Sequence, residues 1–239
     1  MDFPSEFFYL NLIFAQKAAA LTGLTWDDAL RFHTHLYLSF NIGREFDAQH
    51  PVWRAYLDGL HAATDPLEWT ENFYRRRLAE APRQEPALSF GCFSYAIWQG
   101  GRVRIHFRHN DPGFSPLSRE RAAVRRAEMG EMFTYLRTHE KDLSTVIGGS
   151  WLYHLAAYRR LFPPGFLASA QTGPEPETRF ISLWGQFLDH HGQVKPEMAR
   201  RFTQDIGQAQ NLEGLMACFP YSMLRLEGPL TEFYSFLGI

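Results

Sequence analysis

Residues 144–164 constrain the fold more than any other stretch of the chain: Ser-Thr-Val-Ile-Gly-Gly-Ser-Trp-Leu-Tyr-His-Leu-Ala-Ala-Tyr-Arg-Arg-Leu-Phe-Pro-Pro. The β-branched run Thr145-Val146-Ile147 predicts a short strand, Gly148-Gly149-Ser150 a tight turn, and the residues after it a helix that Pro163 and Pro164 stop. A strand that turns directly into a helix belongs in an α/β sheet, and such sheets gather ligands at the carboxyl ends of their strands. Gly148, Gly149, Ser150 and Trp151 are therefore the first candidate ligand contacts, with His154 just beyond them.

Composition narrows the class. The 239 residues make one large domain or two small ones, long enough to bury a core without disulfides. Aromatic residues reach 15%, with 21 Phe and 10 Tyr, which predicts a core built on large rings. A formal net charge of −2 argues against a dedicated nucleic-acid binder. Cys92 and Cys218 have neither CxxC nor metal-ligand spacing and read as buried, reduced thiols of a cytosolic protein. The chain opens without the basic segment and apolar run of a signal peptide. Its most apolar segment, Phe7 to Ala15, is interrupted by Asn11 and falls short of the roughly 18 residues of a membrane span.

Before residue 80 the pattern is helical. Helices are predicted over 5–22, stopped by Gly23, and from a Thr25/Asp28 capping pair to about Ser39, where Asn41-Ile42-Gly43 breaks the run. A third covers 51–62, and a fourth runs from Asp65-Pro66-Leu67-Glu68 to about Ala79. The proline-bearing stretch 80–86 divides a helical portion, residues 1–85, from an α/β domain, residues 86–239. In the latter, 88–98 and 103–107 predict a hairpin about Gly100-Gly101, Ser118 caps a helix over 119–138, and 144–148 and 178–188 read as strands. Helices over 197–209 and from Pro229 close the chain. The fold class that follows is α/β, a mixed sheet with flanking helices and a helical amino-terminal portion. Whether those first helices form a lid, a dimerisation face or a layer over the sheet stays open.

If strands 103–107 and 144–148 run parallel, their carboxyl ends share one edge. Arg108, His109, Asn110 and Asp111 would then face the Gly148–Trp151 turn across a cleft. Arg119 and Arg121 fall in the first turn predicted for helix 119–138, where the helix dipole disfavours cations. A bound anion would relieve that conflict; the competing reading is a solvated basic face balanced by Glu120, Glu128 and Glu131. The candidate contacts of a small anionic ligand, phosphorylated ones included, are thus Arg108, Ser118, Arg119, Arg121, Gly148, Gly149, Ser150, Trp151 and His154.

Two resemblances bear on these residues. Ser150-Trp151-Leu152-Tyr153 with Ala157-Tyr158-Arg159-Arg160-Leu161-Phe162-Pro163 resembles a pattern of bacterial proteins of uncharacterised function and implies no activity. Residues 105–192 partly resemble the histidine phosphatase superfamily, through Arg108-His109 after a strand, Ser115 to Arg121 opening the next helix, and His190-His191-Gly192. That resemblance implies His109 as the phosphoryl-accepting nucleophile, Arg108 as a phosphate clamp and His191 as a second phosphate contact. Asn110 stands where the motif has glycine, no arginine follows Ser150, and no acidic residue is placed as proton donor.

Other chemistries find no motif. His33 and His35 point to different faces of a helix, and adjacent His190 and His191 do not share a metal readily, so no metal site is assigned. Leu152 stands where a nucleophile elbow would need its second glycine. Neither a P-loop nor a dinucleotide glycine motif is present, and no cofactor is assigned. Three functions remain: binding of a small anion, phosphoryl transfer at His109, and a non-catalytic interaction module or homo-oligomer without membrane or nucleic-acid partners.

Overall fold

Residues 5–22 carry apolar side chains on every side, and α1 (Ser5–Thr22) buries Phe7, Phe8, Leu10, Leu12, Phe14, Ala15 and Ala18. The computed structural model describes residues 2–80, 88–109, 113–172 and 178–239. Helix α1 ends at Gly23, whose left-handed backbone (φ 73°) lets its amide return to the Ala19 carbonyl. Thr25 then caps α2 (Trp26–His33) by accepting from the Asp28 amide. The helix expected to reach Ser39 is interrupted. Thr34 is extended, its hydroxyl bonds the Leu30 carbonyl, and the Asn11 side chain takes the His35 amide at 2.8 Å. The chain restarts as α3 (Leu36–Ser39), and α4 (Pro51–Ala62) and α5 (Pro66–Glu80) follow within a residue of expectation. The Asp65 carboxylate accepts from the Leu67 and Glu68 amides, as its place before Pro66 requires.

The sheet comes next. Strands β1 (Phe93–Trp98) and β2 (Arg102–Phe107) form the expected antiparallel hairpin. Helix α6 (Ala122–His139) crosses to β3 (Thr145–Ser150), which pairs with β2 in parallel. A 3-10 turn (Trp151–His154), α7 (Ala156–Arg159) and α8 (Pro164–Ala168) replace the single helix expected up to Phe162, and the short β4 (Gln171–Thr172) follows.

The strand expected over 178–188 is instead α9 (Ile181–Trp184) and a 3-10 turn (Gly185–Phe187). Leu183, Trp184, Gln186, Phe187 and Leu188 are buried almost consecutively, whereas a half-buried strand would alternate. Helices α10 (Pro196–Gln208) and α11 (Leu212–Met216) precede β5 (Leu224–Pro229) and α12 (Leu230–Leu237). Strand β5 inserts antiparallel between β3 and β4, giving the order β1-β2-β3-β5-β4 and a mixed sheet.

Two compact units result, Met1–Gln84 with Glu175–Pro220 and Glu85–Pro174 with Tyr221–Ile239. The sequence pattern assigns 86–239 to one α/β domain, whereas Glu175–Pro220 groups with the first helices. In the first unit Trp184 meets Phe7, Phe14, Phe202 and Phe219 edge-on, and its indole N–H donates to the Thr178 carbonyl at 2.6 Å. In the second, Val103, Ile105, Val146 and Leu226 on one sheet face pack against Met129, Phe133, Tyr153, Phe162, Phe166 and Phe233. The ring-built core is thus observed: among the described residues only Phe32 and Phe114 of the phenylalanines are exposed. Among the described residues, no single helix is long and apolar enough to cross a membrane.

Candidate functional site

Parallel pairing of β2 and β3 puts their carboxyl ends on one edge. The register sets Arg102 opposite Thr145 and Arg104 opposite Ile147. Carried to the strand ends, it levels Phe107 with Ser150. Arg108 is exposed, and its amide donates to the Cys92 carbonyl at 2.8 Å, which fixes the direction in which the chain leaves the sheet. His109 follows, half-buried, with both ring nitrogens shielded from solvent. Asn110 and Asp111 lie outside the described residues.

Gly148 and Gly149 are not a turn. They belong to β3, opposite Leu226 and Arg225 of β5. Their lack of side chains serves close approach instead. A Cβ on Gly148 would stand 2.3 Å from the Tyr153 hydroxyl, and one on Gly149 would stand 3.3 Å from the Arg104 guanidinium on the opposite face. Ser150 ends the strand, and its hydroxyl accepts from the Leu152 amide at 3.1 Å, so the oxygen serves as the cap of the 3-10 turn.

The stretch before α6 also differs from expectation. The helix begins at Ala122 rather than 119, and the cap position is Arg121, without a side-chain cap bond. Ser118 instead bonds the Glu120 carboxylate, which its own backbone amide and Ser118 together hold below the usual carboxylate range. Arg119 and Arg121 therefore precede the helix rather than filling its first turn. The Arg121 guanidinium lies 4.1 Å over the exposed Phe114 ring. Arg160, at the end of α7, donates to the Leu117 and Ser118 carbonyls, both at 2.6 Å, and ties this stretch to the chain that follows β3.

Three rings gather where β3 ends and β5 begins. Tyr221 stacks on Trp151 (5.8 Å, 13°) and on His154 (5.3 Å, 26°). The His154 Nε2 lies 3.1 Å from the Ser222 carbonyl, so this histidine serves first to hold the start of β5. Tyr221 is 70 residues from Trp151 in sequence, and no pattern in the chain announced their meeting.

A second cluster escaped the sequence reading. Arg125 is only 2% exposed; its guanidinium bonds the Cys92 thiol and pairs with Glu128 at 3.1 Å, while the Cys92 amide donates to Glu128 at 3.0 Å. The signal was available, since Arg125 lies four residues before Met129 and shares the buried stripe of Met129, Met132 and Leu136.

Arg108, His109, Ser150 and Trp151 thus share one edge, and Ser118, Arg119, Arg121 and His154 belong to the same unit. His191 belongs to the first unit, exposed, in a turn where its amide donates to Asp189 at 2.8 Å. Cys92 and Cys218 are both buried, and among the described residues no three His, Cys, Asp or Glu side chains could hold a metal ion. No family model, no curated protein and no solved structure matches the chain.

Proposed function

We propose that the second unit binds a small anionic ligand, a phosphate ester being the simplest, at the carboxyl edge of β2 and β3. The carrying observation is the parallel β2–α6–β3 crossover, which has Arg108 leave β2 on the same edge at which Trp151 leaves β3. This is the edge at which open α/β sheets take ligands. Arg108 is an exposed cation at that edge, Arg119 is a further exposed cation of the same unit, and Trp151 at the end of β3 offers an apolar wall. Ser150 and Arg160 hold the edge in shape rather than meeting the ligand. Phosphoryl transfer through His109 is the competing reading, and turnover decides between the two.

A thermal-shift titration with inorganic phosphate, vanadate and a panel of phosphorylated metabolites tests this. A ligand at 100 times its Kd adds about 2.7 kcal/mol, a rise of several degrees for a chain of this size. The rise should vanish in Arg108→Ala and persist in Arg200→Ala, whose arginine lies in the first unit. Absence of a shift with every anion sinks the proposal. Turnover of a phosphate ester lost in His109→Ala would replace binding by phosphoryl transfer.

A further inference from the structure

The two faces of the sheet are furnished differently. Val103, Ile105, Val146 and Leu226 enter the core, so by alternation Arg102, Arg104, Ile147, Arg225 and Glu227 lie on the other face. Arg225 and Glu227 are exposed there, and so is Trp98, the partner of Arg102.

Gly149 lies among the cations of that face. Gly148 turns toward Tyr153 and the core, so Gly149 turns outward. Arg225 is its direct partner on β5. The β2–β3 register, carried two residues past the pair Arg104 and Ile147, sets His106 on its other side. The Arg104 guanidinium lies over it, 3.3 Å from where a Cβ would stand. The result is a shallow cup with Gly149 as its floor and Arg104, His106 and Arg225 as its wall. Glu227 is the one acid among the strand residues of this face, and it stands opposite Ile147 rather than Gly149.

Charge selects the occupant. Guanidinium groups present planar forks of N–H donors that fit the oxygens of a phosphate. Position sets the class of molecule. Arg108 leaves β2 two residues beyond the level of His106 and Gly149, which places the strand edge about 7 Å from the cup. Two phosphate groups on one small molecule span such a distance, and one group does not. Resting on the anion-binding reading of that edge, we infer that its ligand is a bisphosphate. One phosphate meets Arg108, and the second sits over Gly149 between Arg104 and Arg225.

Calorimetric titration of the full chain with a hexose 1,6-bisphosphate and a hexose 6-phosphate tests this. Wild type should bind the bisphosphate roughly 10- to 100-fold more tightly, the value of one further charge-assisted contact. Arg225→Gln, which removes an exposed charge, should erase that advantage and leave the monophosphate as it was. Gly149→Asp, which sets a carboxylate on the floor of the cup, should do the same, with circular dichroism confirming that each variant is folded. Arg108→Ala should weaken both ligands. Equal affinity of wild type for the two ligands, unchanged bisphosphate binding in Arg225→Gln and Gly149→Asp, or an equal loss of both ligands in Arg225→Gln overturns the inference and leaves the edge reading in place. Unchanged binding of both ligands in Arg108→Ala overturns the edge reading, and the bisphosphate with it.

Discussion

Asn11 lies within the most apolar segment of the chain, fully buried, and its amide works in two directions. The side-chain nitrogen donates to the Phe7 carbonyl and the oxygen accepts from the His35 amide, both at 2.8 Å. That second bond helps end α2 and start α3. Asn11→Leu should therefore destabilise the protein despite adding apolar surface. The expected loss is about 1–3 kcal/mol, the cost of removing a partner from a buried donor, read by chemical denaturation. A neutral or stabilising result would mean that the break between α2 and α3 does not depend on Asn11. At this scale the sequence was legible where a cap is local: Thr25 and Asp65 serve as their spacing required. It was illegible where the partner is remote. Nothing near Asn11 names His35, and nothing near Cys92 names Arg125.

Strand β3 shows how an element depends on two glycines in different ways. Gly148 turns toward the core and Tyr153, whose hydroxyl burial pushes well above its ordinary range and which bonds Tyr158. Gly149 turns toward Arg104, the mobile end of a long side chain. Gly148→Ala should cost about 1–3 kcal/mol as an overpacked site, while Gly149→Ala should stay within about 0.5 kcal/mol of wild type. Comparison of the two melting temperatures checks this, and equal effects would contradict the placement of Tyr153 over Gly148. The hairpin and the β2–α6–β3 crossover were readable because period and turn chemistry agreed. Residues 178–188 misled because a short apolar run suits either a strand or a buried helical turn. Leu224-Arg225-Leu226-Glu227 alternates as a strand should, but four alternating residues just before the helix-opening Pro229 are too short a run to mark a strand by themselves.

For the whole molecule, solution pH gives a further handle. Burial pulls the His33 imidazole below its ordinary value of 6.5, and its Nδ1 lies 3.2 Å from the Thr178 hydroxyl within the first unit. The unfolded chain thus takes up this proton before the folded chain does. The contribution is complete above the unfolded value of 6.5 and declines as pH falls below it, until the folded group also protonates. The melting temperature of wild type should fall between about pH 7 and about pH 5, and His33→Gln should flatten that part of the curve. An unchanged curve in the variant would assign the decline to other groups.

The order in which the chain visits its two units carries a consequence for its birth. Between β4 and β5 the chain returns to the first unit to lay down α9, α10 and α11, and only then supplies the strand that sits between β3 and β4. On a ribosome adding about 5–20 residues per second, β3 waits roughly several seconds with its second side unmatched. During that interval β3 is a flank of the nascent sheet, where the finished sheet ends on the two-residue β4. Newly made chains held close together on one message are therefore the setting in which strand exchange between neighbours competes with correct completion.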